Sequence, residues 1–217
     1  MLSLYLIRHA ESLGNVNHHL VGGQSNHYAL SERGEQQSHL LGQRFATEGL
    51  TFDALYSSTA VRTQSTAQIS CSYLPNVPDL RLRPELLELS QGDWEGKVRT
   101  EIYTPEQLTI VRADPYDFRP PNGESQRDVE ARMYRWLEGV AATHGQSEQP
   151  TVVGAYTHGF AIKTLLRGLM QSTPTMTYRT IIHNTSLTVL YYERGLWYID
   201  RVNDYQHIIG TEFIGHY

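Results

Sequence analysis

Short apolar runs alternate with longer amphipathic stretches from residue 2 to about residue 204, and this alternation constrains the fold more than any other feature of the chain. The first run, LSLYLI at 2–7, holds a single polar residue, Ser3, as expected of a strand buried on both faces of a parallel sheet. After a Gly/Asn/His-rich loop at 14–28, LSERGEQQSHLLGQRFATEG places Leu30, Ser38, Leu41 and Phe45 at roughly helical spacing, with Ser31 as N-cap and Gly49 as stop. FDALYSS reads as a second strand, and STAVRTQSTAQISCSYL as a helix whose Ser/Thr-rich start can cap its free N–H groups. LRLRPELLEL is a third short strand leading into a loop. Pro105, Pro115, Pro120 and Pro121 then break up 104–122, which reads as an insertion over the sheet edge. ESQRDVEARMYRWLEGVAATHG sets Val129, Met133, Trp136, Leu137 and Val140 on one helix face. TVVGAYTHG is a strand followed by the helix FAIKTLLRGLM, and SLTVLYYERGLWYIDRVN is a hairpin turning at Arg194 and Gly195. The tail HIIGTEFIGHY is assigned no element. The expectation is an α/β fold: one domain over 1–217, a three-layer α/β/α sandwich whose mostly parallel central sheet carries an antiparallel edge strand from the hairpin.

Composition removes several classes of function. Of 217 residues, 40% are hydrophobic and 19% charged, the usage of a chain with a full core. Eighteen basic against 23 acidic side chains leave a net charge of −5, so no overall positive field draws the protein to nucleic acid or anionic lipid. Cys71 has no internal partner and reads as a buried bystander. MLSLYLIRHAES lacks a basic n-region, and its apolar stretch is too short for a signal sequence or a membrane span, so a cytoplasmic location is expected.

Chemistry concentrates where the parallel strands end, which is where ligands of such sheets bind. Strand one ends in Arg8 and His9, strand two in Ser57 and Ser58 with Arg62 a turn further on, the third leads to Glu88, and the late strand ends in Thr157 and His158. Each has a bland reading when taken singly: a satisfied strand-end His9, a helix-surface Arg62, a solvated Glu88, a helix-start His158. Together they form a set that suits phosphoryl transfer. A neutral imidazole whose other nitrogen donates to a fixed acceptor is a nucleophile near pH 7. Guanidiniums match the equatorial phosphoryl oxygens with paired N–H groups. His9 is accordingly the candidate nucleophile, Arg8 and Arg62 the phosphoryl ligands, and His158 a further donor. Glu88 is the acid for the leaving alkoxide, its proton favoured by burial and by the phosphate beside it. No cofactor and no metal enter this scheme. His18, His19 and His27 lack a Cys or carboxylate at ligand spacing, and neither a Walker loop nor GxGxxG is present.

At these residues the chain resembles the histidine phosphatase superfamily, the branch of cofactor-dependent phosphoglycerate mutases and their phosphatase relatives. LIRHAESLGN carries that family's RHG block with its downstream Asn, Ala10 standing for glycine. LSERGEQQ is similar to LTxxGxxQA, LYSSTAVRTQSTA to SxLxRAxxTA, LLELSQGDWEG to the phosphatase form of the acid loop, and YTHGFAIKTLL to SHGGxIRxLL. The resemblance spans residues 4 to about 190 and implies a phosphoglycerate mutase-like fold. It also implies catalytic roles for Arg8, His9, Arg62, Glu88 and His158, and a phosphate pocket lined by Asn15, Gly22, Thr157 and Gly159. One departure is Val21, which replaces the polar residue common before the pocket glycine; Gln24 is the nearby substitute. Arg112 and Arg119 stand isolated in IVRADPYDFRPPNGES, and HNTSLTVL replaces the late glycine loop of the mutases, both as in the phosphatase branch. The start of the long helix, PNGES, also resembles phosphatases acting on phosphosugars.

The function expected is therefore a metal-independent phosphatase that hydrolyses small-molecule phosphomonoesters through a phosphohistidine at His9. The alternatives are mutase-type phosphotransfer and a non-catalytic module that binds a phosphorylated ligand. The insertion at about 98–122, with Tyr103, Tyr116, Phe118 and Arg119, is expected to cover the active site. Partners other than the small-molecule ester are not expected, neither nucleic acid nor membrane, apart from a homodimer paired across the exposed hairpin edge.

Overall fold

The computed structural model describes residues 1–214. Its elements in chain order are β1 (Leu2–Arg8), α1 (Leu13–Val16), α2 (Glu32–Glu48), β2 (Ala54–Ser57), α3 (Val61–Cys71), β3 (Leu80–Leu82), α4 (Arg99–Ile102), α5 (Pro105–Ala113), α6 (Gln126–His144), β4 (Thr151–Thr157), α7 (Gly159–Leu169), α8 (Met176–Arg179), β5 (Leu187–Glu193) and β6 (Leu196–Asp204). One six-stranded sheet runs β3-β2-β4-β1-β5-β6. Its first three pairings are parallel. The hairpin adds two antiparallel strands where one was expected, β5 against β1 and β6 outermost. Arg194 and Gly195 turn it with φ of 50° and 84°, the type I′ geometry that matches strand twist.

Alternation along the strands divides the core between the two sheet faces. Leu2, Leu4 and Leu6 face a cluster with Met133, Trp136 and Leu137 of α6 and Ile162 and Leu165 of α7. Ile7 and Tyr156 face the other way, onto Leu41 and Phe45 of α2 and Ala67 and Cys71 of α3. Helices thus cover both faces, and Cys71 is a buried packing residue whose thiol lies 3.2 Å from the Tyr156 hydroxyl. Arg44 of α2 pairs with Asp204 at the end of β6 at 2.6 Å and holds that carboxyl at about 2, tying the edge strand to the helix layer.

Local signals act largely as expected. The Ser31 hydroxyl accepts the Gly34 N–H at the start of α2, and Gly49 ends the helix with φ of 63°. Ser125 and Asp128 form a reciprocal capping box on α6. Two expectations are corrected. The N-cap of α3 is Ala60, without a side-chain cap bond of its own: the Ser58 hydroxyl reaches only the Ala60 N–H, at 3.3 Å, and otherwise bonds His158 and Thr63, and Val61 N–H instead reaches the Asn26 carbonyl at 2.9 Å. The segment 98–122 is also partly helical. Thr104 caps α5, and Pro105 occupies its first turn, where a missing N–H costs nothing. The tail at 207–217 begins within a single 3-10 turn at Gln206–Ile208 with Ile208 buried; residues 215–217 of it lie outside the described residues. No helix among the described residues is long and apolar enough to cross a membrane.

Candidate active site

Strand register assembles the site. β1 and β4 run side by side with Arg8 opposite Thr157, so the next residues, His9 and His158, leave the sheet together. His9 N–H reaches the Thr157 carbonyl at 2.9 Å, and Ser58 N–H the Tyr156 carbonyl at 3.0 Å, which brings the end of β2 alongside. The two imidazoles lie with ring centroids 5.0 Å apart. His9 is 4%, Arg62 4% and His158 0% exposed, so three groups able to carry charge share one buried volume.

Donor and acceptor rules set both tautomers. The nitrogen His9 Nδ1 donates to the Ala10 carbonyl at 2.7 Å, which leaves Nε2 with its lone pair toward Arg62 Nε at 3.3 Å. The Ala10 N–H is itself fixed by Thr66 Oγ1 at 3.0 Å. Arg62 Nη2 lies 3.1 Å from His158 Nδ1. A guanidinium can only donate, so His158 Nδ1 accepts and its proton sits on Nε2, which donates to Ser58 Oγ at 2.8 Å. Ser58 passes the chain to Thr63 Oγ1 at 2.7 Å, and Thr63 to the Ala60 carbonyl at 2.8 Å. Burial first, then the charges of Arg62 and Arg8, push His9 well below the usual histidine range, against the opposite pull of the Ala10 carbonyl. Burial, then Arg62, does the same to His158. Both rings are neutral at pH 7, as a nucleophilic imidazole requires.

Arg62 is held from the opposite side by backbone carbonyls: Ser25 at 3.1 Å, Gln24 at 2.9 Å and Gly23 at 3.4 Å. That loop is organised in turn by the Glu95 carboxylate, which accepts Gln24 N–H, Ser25 N–H, the Ser25 hydroxyl and Gln91 N–H at 2.9–3.1 Å. Gly23 has φ of 142°, and a Cβ there would sit 2.4 Å from Glu95 Oε1, so only glycine fits between loop and carboxylate.

Glu88 is half-buried and sits at the start of α7, where its carboxylate accepts N–H groups from Leu89 at 3.0 Å, Phe160 at 3.1 Å and Ala161 at 3.2 Å. It supplies the cap that the side chain of the N-cap residue His158 does not. Arg8, Asn15, Gly22, Arg62 and Glu88 surround His9 around a hollow of 120 Å³, together with Ser12, Ser25 and Tyr28. Arg8 Nη1 donates to the Ile182 carbonyl. Asn15 Oδ1 accepts from Ser12 N–H and Oγ, which leaves its NH2 group as the donor it offers.

Two residues assigned to the pocket by resemblance stand behind it. Thr157 is fully buried and gives its hydroxyl to the Leu86 carbonyl at 2.7 Å, tying β4 to the acid loop. Gly159 lies against Arg8, where a Cβ would approach Nε to 3.3 Å. Gln24 takes part through its backbone, and its residue borders a separate hollow. Sequence reasoning missed Ser58, Glu95 and Asn184, whose Nδ2 donates to the His9 carbonyl at 2.8 Å. Ser58 and Glu95 lay inside quoted motifs, but nothing local marked them as partners of His158 and of the loop.

A larger cleft of 950 Å³ opens from Glu88, Gly22 and Gly23 beneath 99–120. Tyr103 and Phe118 line it, braced by Trp94 at ring distances of 5.6 Å and 5.6 Å. Tyr116 and Arg119 do not line it. Tyr116 is sandwiched between Arg127 and Arg167, and Arg119 pairs with Asp128. Arg99, Arg112 and Arg179 are the exposed cations of its lining. Among the described residues, no group of three or more His, Cys, Asp or Glu side chains is placed to hold a metal ion, the His18, His19 and His27 stretch included.

A neutral imidazole nitrogen, two guanidiniums and a carboxylate surround one hollow at the ends of parallel strands of an α/β sandwich, an arrangement whose charges suit a phosphoryl group. The chain belongs to the histidine phosphatase superfamily, branch 1, whose family model matches residues 4–205. It is 30% identical over 193 residues to the 2,3-bisphosphoglycerate-dependent phosphoglycerate mutase of Brucella ovis, covering 87% of this chain and 91% of that one. Among solved structures it resembles Bacillus stearothermophilus YhfR, with TM-score 0.83 and 27% identity over 96% of this chain and 100% of that one. It also resembles the phosphoserine phosphatase of Entamoeba histolytica in complex with 3-phosphoglyceric acid, with TM-score 0.78 and 26% identity, again covering 96% and 100%.

Proposed function

We propose that the protein is a metal-independent phosphomonoesterase working through a phosphohistidine at His9. One observation carries this reading: His9 has its Nδ1 proton committed to Ala10 and its Nε2 lone pair at a hollow bounded by Arg8, Arg62 and Glu88. An incoming phosphoryl dianion draws the Arg62 N–H groups away from the two imidazoles and onto its own oxygens, which exposes Nε2 to phosphorus. The bond His9 Nε2–P forms as the ester P–O bond breaks. Glu88, the carboxyl at the hollow, gives a proton to the departing alkoxide. Released from Arg62, His158 Nδ1 takes a proton from solvent as the ester binds, donates it to a phosphoryl oxygen and gives it up again when phosphate leaves, while its Nε2–H keeps donating to Ser58. Water then attacks phosphorus, Glu88 accepts its proton, the P–N bond breaks, and phosphate leaves with His9 neutral again.

Several solved structures of similar fold are named as phosphatases, which supports hydrolysis. Mutase-type transfer is the second reading, favoured by the Brucella ovis relative and by Arg99, Arg112 and Arg179 on the cleft, cations that suit an acidic substrate. The deciding experiment pairs phosphate release from an aryl phosphate with a bisphosphoglycerate-primed isomerisation assay. Wild type is expected to release phosphate at a rate that chelator leaves unchanged, and folded His9→Ala to release none. Isomerisation faster than hydrolysis would reverse the order of the two readings.

A further inference from the structure

The cleft beneath the insertion is built for a kind of alcohol that neither the resemblance to phosphosugar enzymes nor the names of similar proteins specify. It shares Gly22, Gly23 and Glu88 with the hollow around His9, so an ester whose phosphorus sits at His9 must place its leaving group there. At 950 Å³ it lies at the upper end of small-molecule sites. Its lining includes Tyr103, Leu108, Val111 and Phe118 from the insertion, with Phe160 of α7 and Tyr178 of α8 packed edge to face at 5.7 Å.

The lining carries the exposed cations Arg99, Arg112 and Arg179 and also Gln126 Oε1, which is buried without a partner, but other polar groups in it are engaged within the protein. Gln91 Oε1 accepts from the Tyr103 hydroxyl at 3.2 Å, Glu124 receives Arg132 Nε at 2.9 Å, and Gln126 Nε2 donates to Thr177 Oγ1. The hydroxyls of a sugar or hydroxy acid placed against the apolar side chains of these walls would lose water without gaining partners, which is unfavourable. A ring or branched alkyl group loses nothing there and gains its full burial.

We infer that, within the phosphatase reading, the substrate class is a phosphomonoester of a bulky, mainly apolar, ring-bearing alcohol held in this cleft. The test compares naphthylmethyl phosphate with glycerol phosphate. Both are esters of primary alcohols, so the leaving groups are closely matched and the cleft supplies the difference. Burying the ring system is expected to raise kcat/KM for naphthylmethyl phosphate about ten- to hundredfold over glycerol phosphate. Leu108→Ser and Val111→Ser, both substitutions on partly exposed positions of α5, are each expected to shrink that ratio severalfold. The same ratio is read as dissociation constants of the intact esters on His9→Ala protein, which needs no turnover.

A ratio near one in both readouts, or a preference for phosphoglycerate that puts the rim arginines in command, overturns the inference. So does a high ratio that neither cleft variant changes. Absence of turnover with the binding ratio intact would refute the phosphatase reading and leave the apolar cleft standing.

Discussion

Replacing Glu95 by Gln alters one atom and asks whether a carboxylate that touches neither histidine nonetheless sets the site. Oε1 accepts Gln24 N–H and Gln91 N–H, each at 3.0 Å; Oε2 accepts Ser25 N–H at 2.9 Å and the Ser25 hydroxyl at 3.1 Å. An amide has one acceptor oxygen. In its better orientation the oxygen keeps Gln24 and Gln91, and the NH2 group faces Ser25. The hydroxyl there can turn to accept, but the Ser25 N–H cannot, and it is left without a partner at about 1–3 kcal/mol. The loop so loosened is the one whose carbonyls hold Arg62. The substitution also removes a negative charge that, after Glu88, supports the Arg62 cation against the larger effect of burial.

If the whole cost is felt in the transition state, kcat/KM falls by roughly 5- to 150-fold, at about 1.4 kcal/mol per tenfold. The assay is steady-state hydrolysis of an aryl phosphate by the variant, with a urea titration to show that it is folded. A folded Glu95→Gln protein within twofold of wild type would mean that the loop keeps its order without the carboxylate, and the chain of cause from Glu95 through Arg62 to His9 would be broken.

Ser58→Ala removes the acceptor of the buried His158 Nε2 proton and is expected to cost about 1–3 kcal/mol in urea unfolding together with a lower kcat; an unchanged pair of values would show that the tautomer does not depend on Ser58. Gly34→Ala would put a Cβ 1.9 Å from the Glu11 carbonyl oxygen, so the start of α2 must move, and a loss of about 3 kcal/mol by chemical denaturation is expected. Acid should destabilise the protein before its carboxylates titrate. His9, His158 and His207 all have folded-state values below 6.5, His207 at about 4 chiefly through burial, so below about pH 6.5 the unfolded chain takes up protons that the folded one refuses. Stability is then full above that pH and falls toward pH 4, with each such group approaching about 1.4 kcal/mol per pH unit. Urea midpoints that stay flat from pH 7 to pH 5 would contradict the neutral, buried assignment.

The layered fold was legible because its signals are local. Strand periodicity at 2–7 and 151–157, the helical stripe from Val129 to Val140, and the caps at Ser31, Gly49 and Ser125 each act within a few residues of where they are written. Local reading failed where one side chain had competing partners. Ser58 looked like a helix cap, but a buried imidazole 100 residues away offered its hydroxyl a donor that solvent could not replace. Pro105 looked like a breaker, but a proline with a capping threonine before it begins a helix as readily as it ends one.

By itself the sequence determined which residues would end strands at one edge: Arg8 and His9, Arg62 beyond Ser58, Glu88 and His158. It did so because a parallel α/β sheet delivers the carboxyl ends of its strands to one side whatever the details of packing. Only the tertiary structure decided which of those residues face the hollow and which stand behind it, how Arg62 is shared between two imidazoles, and that Glu95 braces the loop that holds it. Those outcomes depend on donors and acceptors brought within about 3 Å from distant parts of the chain, and on a cleft whose apolar character exists only once α5 has folded over Glu88.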